Sequence, residues 1–557
     1  MTIFIPSFYM ASDTLKTRLF TVLLLVSSVC SGQGGDSLNA ATALKIIGLE
    51  FTASELDSMQ DELKQSRRTY TRMRELPTGN ALAYPFSFTP GPPPTARQEK
   101  TEWPIPSGIT VPANKNDLAF YSIPQLASLI KHKKISSVEL TRFFLDRLKT
   151  WGDTLECVIT LTDSLALAQA AQADAEIKAG KYRGPLHGVP YGLKDLFAVK
   201  GYKTTWGAVP YKDQVINEDA FAYTKLREAG AILCAKLTLG ELAYNDLWFG
   251  GRTRNPWNIK QGSSGSSAGS AAATAAGLLP FAIGTETHGS IVSPSHTCGT
   301  TGLRPTFGSV SRSGAMVLSW SLDKAGPICR SAEDAAIVFY YMKGTDGKDA
   351  AAIERPFNFK PIKDLSKLKI AYPENYFRSL PKSSPQWAVL DKLTELGASL
   401  IPIVFPDSAI YPYNIMDVVI SAESAAAFDE LTRSDRDDLI RRQDKYFWPN
   451  TFRAARLIPA VEYINANRHR SRLMQDVNEI ISKYDVIVTP SFAGAQLGIT
   501  NLTGHPVVVT PVGFTANGLP TSITFLGNLY DDETILAVAD RFQKATNFHQ
   551  QHPAKFK

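Results

Sequence analysis

Gln261–Ser295 reads QGSSGSSAGSAAATAAGLLPFAIGTETHGSIVSPS. A Gly/Ser-rich loop runs into an alanine-rich segment, then into a short apolar run and a second Gly/Ser turn. Taken alone, Gly262–Ser267 has the composition of a flexible linker. Its continuation argues otherwise, because Ala271–Leu279 and Phe281–Ile283 are apolar enough to be buried. The stretch predicts two polar turns bracing one packed helix, and everything else is read outward from it.

Short apolar runs alternate with helical ones on either side. Strands are predicted at Gly188–Tyr191, Ile232–Ala235, Phe281–Gly284, Ile370–Tyr372, Leu400–Phe405, Val486–Thr489, Val507–Thr510 and Ile523–Leu526. Helices are predicted from Ser122, with Leu126, Leu129 and Ile130 on one side, from Ser136, and over Asp163–Ala179 with Gly180 as its stop. Strands separated by helices imply an α/β fold, a mixed or parallel sheet covered on both faces. Residues 409–472 break the rhythm, being mostly helical and rich in Arg and aromatics (Phe428, Tyr446, Phe447, Trp448, Phe452). Those rings either pack a helical layer or wall a substrate entrance.

The chain of 557 residues is 44% hydrophobic and 20% charged, ordinary for a globular protein. Its net charge of +6 comes without a Lys/Arg block, which argues against a nucleic-acid partner. Lys16 and Arg18 precede the apolar run Leu19–Val26, and small residues follow, the order of an export signal over residues 1–32. That run is too short to span a bilayer. The expected protein is therefore exported, periplasmic or extracellular, without stable membrane insertion. Residues 33–116 read as an N-terminal appendage. Thr52 with Glu55 makes a capping box for a helix bearing Leu56, Met59 and Leu63, and Pro92-Pro93-Pro94 marks a linker. The main domain is placed at 117–557. Of five cysteines, Cys157, Cys234, Cys298 and Cys329 lie beyond the signal, widely spaced and without C-x-x-C pairing, so no zinc site is suggested and any pairing stays open.

Two readings of the chemistry compete. Gly265-Ser266-Ser267-Ala268-Gly269 fits G-x-S-x-G, with Ser267 as nucleophile and His505 as base. That motif needs a buried strand immediately before it, whereas Asn255–Gln261 is polar and broken by Pro256. The alternative joins three separated pieces: Gly184–Phe197 (GPLHGVPYGLKDLF), Ser264–Ala273 (SGSSAGSAAA) and Gly284–Ile291 (GTETHGSI). These resemble the lysine segment, the GGSSGGSAAA block and the G-[ST]-D-x-G-G-S-I turn of the amidase signature family. Ser266 and Ser290 lie 24 positions apart, the family's spacing. Further matching blocks, Gly302-Leu303-Arg304-Pro305-Thr306 among them, extend the resemblance over roughly Asp117 to His549.

The resemblance implies one large amidase-signature domain with a twisted mixed sheet, and a Ser–cis-Ser–Lys catalytic set. In it Ser290 is the nucleophile, Ser266 sits in a cis peptide and relays the proton, and Lys194 is the general base. Ser267 orients the relay. The backbone N–H groups of Thr287, His288, Gly289 and Ser290 form the oxyanion hole. It also implies no metal and no organic cofactor. A lysine acts as a base only when uncharged, so Lys194 has to be buried, with Val189–Tyr191 and Phe197 as apolar flank. The expected activity is hydrolysis of a small-molecule or peptide amide to acid and ammonia or amine through an acyl-enzyme. The alternatives are the glutaminase subunit of a tRNA-dependent amidotransferase and a catalytically silent binding protein on the same fold.

The departures from the family pattern concentrate in the opening stretch. Glu286 stands for the usual aspartate, His288 for a glycine, and Val292 for a common arginine. They bear on the substrate, which the sequence does not identify, any more than it identifies the oligomeric state. His505 either faces the pocket or is a plain loop histidine.

Overall fold

The computed structural model describes residues 39–76, 101–407 and 414–557. The expected export signal at 1–32 and most of the proline-rich linker lie outside the described residues. Local chemistry sets the helix starts. At the N-terminal helix Ala53–Arg74 the Thr52 side chain accepts from the Glu55 amide while Glu55 accepts from the Thr52 amide. Ser136 and Glu139 do the same for Ser137–Leu155. Each reciprocal pair satisfies two backbone donors that a helix start otherwise leaves open.

One sheet organises the molecule. Its strands in chain order are β1 (Val158–Leu161), β2 (Pro190–Lys194), β3 (Ile232–Leu237), β4 (Ala282–Glu286), β5 (Thr301–Arg304), β6 (Lys324–Cys329), β7 (Ile370–Pro373), β8 (Leu400–Ile403), β9 (Val486–Pro490), β10 (Val507–Phe514) and β11 (Pro520–Gly527). In space they run β1-β3-β2-β4-β6-β5-β10-β11-β9-β7-β8. Pairing is parallel at β3-β2-β4 and β9-β7-β8 and antiparallel elsewhere, so the sheet is mixed, and helices flank it. All eight predicted strands are present with shifted ends, and β1, β5 and β6 are additional.

The central pair places the chemistry. Strands β2 and β4 run parallel, with Gly192 opposite Ala282 and Leu193 opposite Ile283. Their carboxyl ends therefore emerge at one edge, where open α/β sheets form their crevices. Lys194 ends β2, and the Thr287–Ser290 turn follows β4. Between them in sequence lies the helix Ala268–Ala275, all eight residues buried. Close approach explains its composition: a Cβ on Gly269 would lie 2.5 Å from the Cys157 carbonyl oxygen and 2.6 Å from the Thr238 nitrogen.

One large apolar core spans most of the sheet, and a second gathers Val292, Ala371, Phe405, Ile487 and neighbours. Cys157, Cys234, Cys298 and Cys329 are all buried in the free thiol form. Among the described residues no helix is long and apolar enough to cross a membrane.

Phe281, fully buried immediately before β4, stacks on Tyr191 of β2 with centroids 5.3 Å apart and planes 7° from parallel. Phe281→Ala should cost about 3–5 kcal/mol, read from the midpoint of urea unfolding. Phe281→Leu, which leaves a smaller cavity, should cost less than half as much. Equal losses in the two variants would mean that the stack does not set the β2–β4 spacing.

Candidate active site

Three segments far apart in sequence meet at the edge of β2 and β4. The Lys194 side chain is fully buried and its Nζ lies 2.8 Å from Ser266 Oγ, 3.1 Å from Ser267 Oγ and 2.8 Å from Thr285 Oγ1. The Gly265–Ser266 peptide is cis. Ser267 Oγ accepts from the Thr285 amide and donates to the Thr285 carbonyl, both at 3.1 Å, so this hydroxyl is committed to β4 and held beside Nζ. The Ser267 amide donates to the Ser290 carbonyl at 3.2 Å, joining the two polar turns directly.

Burial lowers the Lys194 pKa from its ordinary value to about 7, against the opposing pull of Asp323 and Glu286. Near neutral pH a large fraction of the amine is therefore uncharged, with a lone pair able to accept a hydroxyl proton. Asp195, next in the chain, anchors the turn. It pairs with Lys236 Nζ at 2.6 Å, both side chains fully buried, and accepts from the Thr205 amide at 2.8 Å.

The turn Thr287–Ser290 lines a cavity of about 540 Å³ together with Ser264, Gly265 and Ser293. Among the described residues, the N–H groups of Thr287, His288, Gly289 and Ser290 meet no protein acceptor. They are free to receive a developing oxyanion. Gly289 has φ +91°, a backbone conformation that side chains with a Cβ rarely adopt. Thr287 is tied back by its hydroxyl, which donates to Asp323 at 2.6 Å.

Glu286 braces the turn from beneath. Its carboxylate accepts from the amides of Ile291 and Val292, both at 2.9 Å, from Asn501 Nδ2 at 2.8 Å, and from Arg304 Nη1 at 2.9 Å. Burial by itself would raise its pKa, yet Arg304, the Val292 amide, Lys324 and Asn501 together hold it at about 2. The longer side chain that replaces the family's aspartate thus stays charged and grips the residues just after Ser290. Val292, where an arginine is common, is fully buried in the second apolar core.

The two histidines part ways. His288 is open to the cavity, and the protein packed around its imidazole lowers its pKa in spite of Glu286. His505 is buried and outside the cavity lining, its Nδ1 2.8 Å from Thr503 Oγ1 and its carbonyl accepting from Arg304. Burial and Arg304 lower its pKa to about 3. The first alternative, a pocket-facing His505, is not what the structure has.

Several participants were not singled out from sequence. Thr285 as a partner of Lys194, and Arg304 as the counter-charge of Glu286, come from the fold. Arg304 ends the Gly302-Leu303-Arg304 run, and an arginine flanked by Leu303 and Pro305 was the available signal. The N-terminal helix is more than an appendage, because Glu62, Gln65, Ser66 and Thr69 line the cavity. From the region after 409, Asp417, Tyr446, Trp448 and Thr451 line it too, whereas Phe428 and Phe452 pack in the core. Among the described residues no group of three or more His, Cys, Asp or Glu side chains is placed to hold a metal ion.

The amidase family model matches residues 139–499. A glutamyl-tRNA(Gln) amidotransferase subunit of Coxiella burnetii is 32% identical over 478 residues, covering 78% of this chain and 99% of the relative. Its namesake from Dechloromonas aromatica is 33% identical, covering 78% and 98%. Among solved structures, native peptide amidase from Stenotrophomonas maltophilia superposes with a TM-score of 0.69 at 27% identity, over 78% of this chain and 98% of that one.

If the Lys194 amine accepts the proton, kcat/KM on an amide should rise with pH and level off above about 7. Below that value the amine is protonated, and the rate should fall about tenfold per pH unit. A pH–rate profile from pH 5 to 9 measures this. A flat profile across that range would remove Lys194 as the base.

Proposed function

This chain belongs to the amidase family, an amide C–N hydrolase or amidotransferase, and on that premise we propose that it hydrolyses a carboxylic amide with Ser290 as nucleophile, Ser266 as proton relay and Lys194 as base. The single observation that carries the reading is the fully buried Lys194 amine within hydrogen-bond reach of Ser266, its pKa lowered to about 7.

Ser290 Oγ bonds to the carbonyl carbon while its proton passes through the Ser266 hydroxyl to Lys194 Nζ. The carbonyl oxygen gains negative charge and is held by the N–H groups of the Thr287–Ser290 turn. Loss of one such donor costs about 3 kcal/mol of barrier. The tetrahedral species collapses, the C–N bond breaks, and the proton returns from Lys194 through Ser266 to the departing amine or ammonia. Water then attacks the Ser290 ester by the same relay and releases the acid.

A second reading is the glutaminase subunit of a tRNA-dependent amidotransferase. By name, the curated relatives at 32–33% identity over nearly their whole length support it more directly than the first. The cavity supports the first. Its described lining holds Glu62 and Asp417 and no Lys or Arg, so nothing there offsets the α-carboxylate of glutamine. Export, expected from the signal over residues 1–32, also favours the first reading, since charged tRNA is cytosolic. Export itself is tested by fractionating cells that express the full chain. A cytosolic protein with an uncleaved N-terminus would remove that support.

Ser290→Ala and Lys194→Ala should each lower turnover of aryl and peptide C-terminal amides by at least about a thousandfold, and Ser290→Ala should abolish labelling by a fluorophosphonate. Wild-type turnover in Ser290→Ala would sink the assignment. Ammonia release assayed on glutamine beside the amide panel separates the two readings. Glutamine as the best substrate, or a second subunit co-purifying with the chain, would install the amidotransferase.

A further inference from the structure

The cavity that reaches Ser290 has a far wall built from outside the matched family region. The helix Ala53–Arg74 precedes residue 139, yet it is firmly seated. Leu56 and Met59 pack with Ala454, and Tyr70 and Met73 join the second apolar core. Lys445 pairs with Asp61 at 2.6 Å, and Arg453 pairs with Glu55 at 2.7 Å. This docking turns Glu62 toward the cavity, where Asp417 from the helix Ile415–Ala427 joins it.

The nearby cations are spent elsewhere. Lys445 is held by Asp61, and Arg453 by Glu55, Asp437 and Asp438. Among the described residues neither Glu62 nor Asp417 has a cationic partner; Glu62 accepts only from Asn450 Nδ2 at 3.1 Å and from Thr451. Burial, then repulsion from Asp417, pushes the Glu62 carboxyl up to about 7, and burial also raises Asp417. Two carboxylates sharing a partly dry space disfavour each other's charge, and a cation between them would relieve both. The rings of Tyr244, Tyr446 and Trp448 line the same space, and aromatic faces attract ammonium and guanidinium groups.

We propose that Glu62 and Asp417 form a cation-binding subsite, and that the amide cleaved at Ser290 carries an ammonium or guanidinium group which this pair holds. The N-terminal helix is then the specificity element of the enzyme. The inference rests on the reading of Ser290 as nucleophile, and its test separates the two.

The test uses the full chain and three alkyl fluorophosphonates of equal length, ending in trimethylammonium, in its neutral tert-butyl isostere, and in a carboxylate. Reaction forms the Ser290 Oγ–P bond and expels fluoride, so the second-order labelling rate reports how each tail seats. The trimethylammonium probe should label at least about tenfold faster than the neutral one, and the carboxylate probe slowest. In the double variant Glu62→Gln/Asp417→Asn the cationic-to-neutral ratio should fall toward one, and Asp417→Lys should move the preference to the carboxylate. Equal rates for the cationic and neutral probes, or an unchanged ratio in the double variant, would overturn the subsite. Absence of labelling by all three probes would instead overturn Ser290 as the nucleophile.

Discussion

The structure depends on one constraint: a lysine amine must be sealed from water and still be able to lose its charge. Lys194 meets it at the end of β2, ringed by three hydroxyls from two other segments. Burial drives the pKa down, and the nearby acids Asp323 and Glu286 stop it near 7. With less burial the amine would stay protonated. The arrangement weakens the fold in a defined pH window. The unfolded chain holds this proton up to about pH 10.5 and the folded chain only up to about 7, so the cost is absent above the higher value. It grows as pH falls to the lower one and is constant below it.

The Glu286–Arg304 pair is what makes that balance tolerable. Both side chains are fully buried, an arrangement that is costly unless further hydrogen bonds answer the charges. Glu286 accepts four, two of them from the amides of Ile291 and Val292. Arg304 also donates to the His505 carbonyl, which fastens β5 to the chain entering β10. The same ion pair therefore fixes the turn bearing Ser290, and its carboxylate adds to the pull of Asp323 that keeps the Lys194 pKa from falling further. Asp323 and Glu286 thus each serve both the geometry and the electrostatics of the site.

How much of this was legible in the sequence depends on the distance over which it is encoded. Eight of the main-sheet strands stood out as apolar runs, and capping boxes at Thr52 and Ser136 marked helix starts. β5 (TGLR) and β6 (KAGPIC) did not, because Gly, Pro and terminal charges break the apolar pattern. Neighbouring strands on both sides bury them all the same. The positions Lys194, Ser266 and Ser290 were legible only through resemblance, since no local rule pairs a lysine with a serine 72 residues away. Thr285 becomes a partner of Lys194 only once β2 and β4 lie side by side, and Arg304 of Glu286 only once β6 sets β5 near β4. The N-terminal helix was legible as a helix, but its docking on residues around 445–454 was not, because its apolar stripe fits any apolar partner.

The buried groups beneath the Thr287–Ser290 turn and the acids on the cavity wall differ in charge balance, and that difference separates the proposed chemistry from the proposed recognition. Around Lys194 and Glu286 every charge has an answering charge or hydrogen bond within the protein, as reacting groups require if they are not to drift. Around Glu62 and Asp417 the answering charges are absent from the described residues, although Lys445 and Arg453 stand close by. A fold seeking only stability would have paired them, because burial and then Asp417 raise the Glu62 pKa at a cost. Val292 removes a further positive charge beside the nucleophile turn and spends the position on packing. The cavity is left acidic where the helix preceding the family's matched segment, with Glu62, meets Asp417 from within that segment. On the proposed reading, selection of the substrate falls to the added helix together with Asp417, and its transformation to the shared sheet.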